Sequence, residues 1–290
     1  MKQEKRGSAM EESLKSKAKK LSIKEGSAFS VSEGAGMRYI TPFALAINSS
    51  NSQIGLLSSI PSLIGNFSQL YSTRLMKTFS RKNIVFSGAL LQAFMWLFLI
   101  LLGLLFFVFD VKYYIMPIIL IFLYTLLTTF GSFIVPAWTS WMRDIVTKDS
   151  GIYFGKRSKI CSFVVLISML FAGLVLDYFK NISIFLGFAV LFLAAFISRI
   201  ISAFLFKKKY EPEFKFDDKY YFSFFQFIQR MVHNNFGKFV LFISIMSFAT
   251  SIASPFFAVY MLKEIDFSYT MWITTVMAST LSSLLFFPIL

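Results

Sequence analysis

Apolar runs long enough to cross a bilayer recur along the chain, separated by short polar stretches. A helix of about 20 apolar residues spans the hydrocarbon core. On that measure the pattern predicts spans at Ala28–Ile47, Ile54–Tyr71, Ile84–Phe109, Tyr113–Val135, Ile160–Leu176, Ile182–Phe206, Phe239–Leu262 and Phe267–Leu290. Asn48–Gln53, Asp110–Lys112 and Asp177–Asn181 are expected as tight turns, and Pro136 as the end of the fourth helix, leaving Ala137–Lys159 as a loop. The fold class is therefore an all-α membrane bundle. Residues 1–27 form a basic tail expected to be disordered or loosely helical, and 28–206 a six-helix bundle. Residues 207–238 make a linker, and 239–290 the first two helices of a second bundle. Within the linker, Tyr220–Asn234 places Ser223, Gln226, Arg230 and His233 on one helical face, the pattern of a helix lying in the membrane interface. The chain stops at Phe287-Pro288-Ile289-Leu290 without a charged flank and reads as truncated.

The first span departs from membrane filler. It holds Glu33 and Arg38, with Gly34 and Gly36 between them and Pro42 one turn beyond. A charge near the bilayer centre costs about 2.5–3.5 kcal/mol on insertion scales, so ionisable residues there are functional candidates by default. Five residues apart, the two lie about 140° around an ideal α-helix and would not pair directly. They either line a solute path or satisfy one another within a distorted helix. Ser59, Ser62, Asn66 and Gln69 share one face of the second span, and Thr125, Thr128, Thr129 and Ser132 form a polar stripe in the fourth. Ser244, Ser247, Ser251 and Ser254 do the same in the seventh. Such stripes suit interhelical hydrogen bonds as well as a path.

Charge then orients the bundle. The chain is 56% hydrophobic and 15% charged, with a formal net charge of +14. Its basic residues fall on alternate connections rather than in one patch, which argues against nucleic-acid binding. The tail, Arg74–Lys82, Arg143–Lys159 and Lys207–Lys238 are basic-rich, whereas the intervening turns hold Lys112, Lys180 or Lys263 singly. The expected topology places the N-terminus in the cytoplasm of a multi-pass plasma-membrane protein. Arg199 is expected to snorkel to the cytoplasmic surface. One cysteine, Cys161, and one histidine, His233, exclude an internal disulfide and histidine-cluster metal chemistry, so no cofactor or metal site is expected.

The first and seventh spans echo one another: Ile40-Thr41-Pro42-Phe43-Ala44 reads against Ala253-Ser254-Pro255-Phe256-Phe257-Ala258. Six helices, a long linker and a restart of the same polarity make a parallel repeat. Three stretches add a family resemblance: Asn51–Leu57 through Arg81-Lys82, Trp138–Asp144 with Gly151–Arg157, and Ser254–Tyr260. With them the chain resembles the major facilitator superfamily over 28–290, about two-thirds of that family's twelve-helix plan. The resemblance implies a secondary transporter that rocks two bundles about a midplane site. It is silent on the substrate.

One family pattern is broken. Its second-to-third loop reads Gly-x-x-x-Asp-Arg-x-Gly-Arg-Arg, and the position similar to its Asp is Lys77 here, with Thr73, Thr78 and Ser80 at other positions and only Arg81 and Lys82 fitting. The family's Asp helps latch the cytoplasmic side. Asp144 is the acid available to accept from Lys77 or Arg74 instead. The cytoplasmic gate candidates are thus Arg74, Lys77, Arg81, Asp144 and Arg157; the substrate and coupling candidates are Glu33, Arg38, Asn66 and Gln69. Arg38 would hold an anionic group in its rigid fork of donors, and Glu33 would carry a coupling proton. The expected partners are a small solute and the lipid bilayer, with the chain working as a monomer. The alternative is a non-transporting membrane sensor or a membrane enzyme. The enzyme reading lacks the clustered His, Cys, Asp and Glu it would need, since Asp144 and Asp149 stand in a basic stretch without a histidine.

Overall fold

The computed structural model describes residues 2–109, 115–214, 229 and 231–286. Every regular element among them is helical. Helix α1 (Lys2–Val31) runs into a π turn (Ser32–Gly36), a 3-10 turn (Met37–Tyr39) and a short α2 (Ile40–Ala46). Five long helices follow: α3 (Asn51–Leu75), α4 (Arg81–Phe107), α5 (Met116–Ile145), α6 (Ser150–Lys180) and α7 (Ile184–Lys208). After the linker come α8 (Asn235–Val259), a second π turn (Tyr260–Glu264) and α9 (Tyr269–Phe286). Helices α4 to α7, and α8 with its π turn, are each long and apolar enough to cross a membrane. The expected turn at Asp110–Lys112 and most of the expected interfacial helix at Tyr220–Asn234 lie outside the described residues; His233 is exposed.

Among the described residues the core has two parts. The larger joins Tyr39, Phe43, Trp96, Phe188 and Phe192 to Trp272 and Ile273 of α9. Its rings meet mostly edge to face, as Tyr39 and Trp272 do at 5.5 Å between centroids, an arrangement favoured by the aromatic quadrupole. The smaller part lies at the basic end, where Ile84, Val85, Trp141, Met142 and Phe206 enclose Ala18 of α1.

Three expectations need correction. The basic tail is not loose: it is one helix continuous with the first span. Ala18, Ser22 and Glu25 recur at i, i+4 and i+7 and are all buried, so α1 packs one face onto α6 and α7. Small and polar residues fill that face, which hides it from any hydropathy pattern. Secondly, Pro136 does not end a helix, because α5 continues through it to Ile145. Losing one donor and straining one turn costs about 3 kcal/mol in a helix interior. Burial of Ala137, Trp141, Met142 and Ile145 beyond the proline offsets that. The expected loop therefore shrinks to Val146–Asp149, and Asp149 turns the chain at φ 53°. Thirdly, Arg199 does not snorkel. It is 4% exposed, its guanidinium lies 4.6 Å from the Phe29 ring centre, and it donates to the Ser202 hydroxyl at 3.1 Å. Helix α1 extends over it and closes the route to water.

At the end of the bundle opposite the basic connections, Asp177 ties the two parts of the chain together. Its carboxylate accepts from the backbone N–H groups of Tyr269 and Thr270 at 2.8 and 2.9 Å, capping the first turn of α9. A negative charge there also meets the positive end of the helix dipole. Asn48 (φ 62°) closes the preceding turn, and Ser50 with Gln53 forms a capping box at the start of α3.

Close packing around the first π turn gives a stability test. A Cβ on Gly34 would stand 2.7 Å from the Val165 carbonyl oxygen, whereas one on Gly155 would meet nothing within 4 Å. Gly34→Ala should destabilise the bundle by about 1–3 kcal/mol through overpacking against backbone, and Gly155→Ala should not. Thermal unfolding in detergent, followed by tryptophan fluorescence, separates the two; equal midpoints would contradict the close approach.

Candidate functional site

The geometry of the site begins with the first π turn. Met37 N–H reaches back to the carbonyls of both Ser32 and Glu33, so one bond spans five residues instead of four. Each turn then takes up more residues, and positions five apart come to the same side. That is why Glu33 and Arg38 meet although an ideal helix would separate them: Arg38 Nη2 donates to Glu33 Oε1 at 3.2 Å. Gly34 and Gly36 permit the widened turn to seat itself, against the α6 backbone and the Trp96 ring respectively. Those glycines serve helix packing rather than the approach of a ligand.

The pair is half open, Arg38 being 45% and Glu33 32% exposed at the side chain. It faces a cavity of about 510 Å³ whose walls come from both parts of the chain. Met37, Thr41 and Tyr124 stand on one side, and Ser254, Phe257 and Trp272 on the other. A second cavity of about 210 Å³ shares Met37, Thr41, Tyr124, Ser254 and Pro255 and reaches Ser58, Ser62 and Thr128. Thr41 and Ser254, equivalent positions of the sequence echo, thus line both spaces.

The polar stripe of α3 divides. Ser62 reaches the smaller cavity, while the Ser59 hydroxyl donates to its own helix at Gly55. Asn66 and Gln69 line neither cavity; Gln69 Nε2 donates to Asn66 Oδ1 at 3.3 Å. In α5, Thr125 and Thr128 bond back to carbonyls of their own helix, and Thr128 also reaches Pro61 of α3. Tyr124 and Trp272 were not among the sequence candidates. Nothing in spacing or composition sets Trp272 apart from the aromatic residues that simply fill the core.

At the basic end a second charged centre forms around Arg81, which is fully buried. Its Nη1 donates to Asp144 Oδ2 at 2.6 Å and to the Ser140 carbonyl at 3.1 Å, and its Nη2 to the Pro212 carbonyl at 3.1 Å. Glu211 lies 3.6 Å from its Nε, and the Phe214 ring stacks 4.3 Å from the guanidinium carbon. Arg157 belongs to a separate cluster. It donates to Glu25 at 3.1 Å and covers the Trp138 ring at 4.6 Å, while Trp138 Nε1 and Ser22 Oγ also donate to Glu25. Glu25 is 2% exposed, and three donors compensate its buried charge.

The family model described as the Major Facilitator Superfamily matches residues 29–290. The chain belongs to the major facilitator superfamily. It is a multi-pass membrane transporter of that type, which implies a small-molecule solute and a lipid surround. No curated protein matches the chain.

For this facilitator the broken loop pattern has a structural counterpart. Lys77 stands exposed in the turn after α3, where the family has its Asp. Asp144 takes its hydrogen bond from Arg81, one of the two residues that keep the pattern, because the continued α5 brings Asp144 alongside the first turn of α4. Arg74 lies instead over the Tyr71 ring, 6.0 Å from its centre. The start of the linker is strapped to the same end. Lys209 is buried with its ammonium 4.1 Å from the Trp141 ring centre and 4.9 Å from that of Phe206, and Trp141 Nε1 donates to the Tyr210 carbonyl.

Burial pushes the Lys209 ammonium down to about 8, although Glu25 pulls the other way. An unfolded lysine titrates near 10.4. Below pH 8 both states hold the proton, and the desolvation penalty is present in full. Between about pH 8 and 10.4 the unfolded chain binds more protons, so stability should rise with pH across that window. Unfolding midpoints at pH 7.5 and 9.5 test this: the increase should shrink in Lys209→Met. An unchanged increase would assign it to other groups.

Proposed function

We propose that this transporter moves a small solute by secondary active alternating access, with Arg38 holding an anionic group and Glu33 taking a coupling proton. The observation that carries the reading is the Glu33–Arg38 pair facing a cavity built jointly from the first six-helix bundle and from α8 and α9. A pair that only stabilised the fold gains little from such exposure, since an open ion pair is worth about 0–1 kcal/mol. An open pair can exchange partners. A proton on Glu33 would release Arg38, whose planar fork fits a carboxylate or phosphate with two parallel bonds. Tyr124, Trp272 and Met261 offer an apolar wall for the rest of the solute.

The basic end is taken as cytoplasmic, with the N-terminus inside, the protein in the plasma membrane and one chain as the working unit. The Arg81–Asp144–Glu211 centre is then the cytoplasmic gate, coupling α4 and α5 to the linker. Asn66 and Gln69, away from both cavities, have no part in solute binding under this reading.

Uptake of a panel of small anions into proteoliposomes, with and without an inward proton gradient, tests the pair. Arg38→Lys should retain weak transport and Arg38→Gln should abolish it, both at normal levels of folded protein. Recovery of transport in a Glu33→Gln, Arg38→Gln double variant would show the pair to be structural and overturn the proposal. The gate has its own test. Asp144→Asn should raise labelling, from the cytoplasmic side, of a single cysteine placed at Thr41 in a Cys161→Ser background. Unchanged labelling would remove Asp144 from the gate.

A further inference from the structure

The end of the bundle opposite the basic connections is poor in positive charge, its turns holding Lys112, Lys180 and Lys263 singly. Two of these three line one cavity. It has a volume of about 440 Å³, and Lys180 and Lys263 both stand in its wall. Lys180 comes from the last turn of α6 and Lys263 from the second π turn, so each part of the chain contributes one. Pro42 and Leu262 place this space directly beyond the central cavity, which Thr41 and Met261 line.

The lining differs in kind from that of the central cavity. Rings and methionines give way to two ammonium groups, the Asn48 amide, the Ser49 hydroxyl and one carboxylate, Asp266. Both lysines are exposed, and among the described residues neither forms an ion pair, although Asp266 shares the wall. Asp177 is close by in the fold, but its carboxylate is already used on the N–H groups of Tyr269 and Thr270. The space therefore has an excess of positive charge. Ser49 is 5% exposed, and its hydroxyl has no hydrogen-bond partner among the described residues. A buried hydroxyl left unpaired is costly, and an acceptor held in the cavity can satisfy it. Both walls are fixed by backbone bonds: Ser49 N–H to the Ala44 carbonyl, and Ile265 and Phe267 N–H to those of Tyr260 and Met261.

We infer that this cavity is a binding site for a small water-soluble anion bearing a carboxylate or phosphate group, held between Lys180 and Lys263 with Ser49 as a further donor. A lysine at the end of α6 also suits the helix dipole. That accounts for Lys180 alone, and not for a second lysine reaching the same space from the other part of the chain. The site is independent of the Glu33–Arg38 reading, since it uses other residues and its test requires no transport.

Amine acylation of the purified chain in detergent, measured by peptide mass spectrometry, provides that test. Phosphate or succinate is compared with chloride at equal pH and ionic strength. Phosphate or succinate should slow acylation of Lys180 and Lys263 by about fivefold or more, because only the free amine reacts and a neighbouring anion favours the ammonium form. Lys148 and Lys156, exposed near the other end, should be unaffected. Lys263→Gln should remove the protection of Lys180, and Lys180→Gln that of Lys263. Asp266→Asn should lower the anion concentration needed for half protection, and Ser49→Ala should raise it. Unfolding midpoints followed by tryptophan fluorescence confirm that each variant is folded, and either lysine variant suffices if the other does not fold. The inference fails if neither anion protects the two lysines, or if Lys148 and Lys156 are protected equally. It also fails if one lysine keeps its protection when the other is replaced.

Discussion

An ion pair placed inside an apolar bundle needs both a partner and a route to water, and the first π turn supplies both. Widening one turn moves Arg38 onto the side of Glu33, and it does so beside a space shared by the two parts of the chain. The widened turn persists because its surroundings over-determine it. Gly34 fits beneath the Val165 carbonyl, Gly36 beneath Trp96, and the Tyr39 hydroxyl bonds the Met169 carbonyl at 2.6 Å. Pairing, cavity and core thus rest on one local departure from helical spacing.

Charge is handled differently at the basic end. There Arg81 and Glu25 are buried almost completely, and each is met by several partners rather than one. Removing one partner from such a centre leaves an uncompensated charge, which costs far more than an exposed pair contributes. The two kinds of site differ in their surroundings: the buried centres join α1 to α5 and α6, and α4 to α5 and the linker, through several partners each, while the exposed pair opens on the cavity.

The two halves of the sequence echo also differ in their surroundings. Thr41 and Ser254 face the same cavities, as related positions should, yet the first π turn precedes its proline and the second follows. The parts of the chain meet at Asp177, where an acid caps α9, and around Trp272, whose ring packs against Tyr39. Both contacts join residues about a hundred or more positions apart in sequence, beyond the reach of any local pattern.

Hydropathy alone was enough to read an all-α membrane bundle, because about 20 apolar residues in a row have one stable form in lipid, in which every backbone group is satisfied internally. The conspicuous charges, Glu33 and Arg38, were legible for the same reason: they stand against an apolar background. What those charges do to one another was not legible, since the angle between them follows from a π turn that depends on packing against α6 and α4. The folded tail escaped notice because Ala18, Ser22 and Glu25 are small or polar and become a buried face only when α6 and α7 lie against them. Pro136 misled for the converse reason, its local penalty being outweighed by Trp141 and Met142 further along the helix. Asn66 and Gln69 share a helical face with Ser62, but a wheel gives only a face, and of the three only Ser62 lines a cavity, because the tertiary structure sets the depth at which the cavity ends. Local chemistry determined which segments enter the membrane and which residues stand out within them; distance and partnership were decided by how the helices pack.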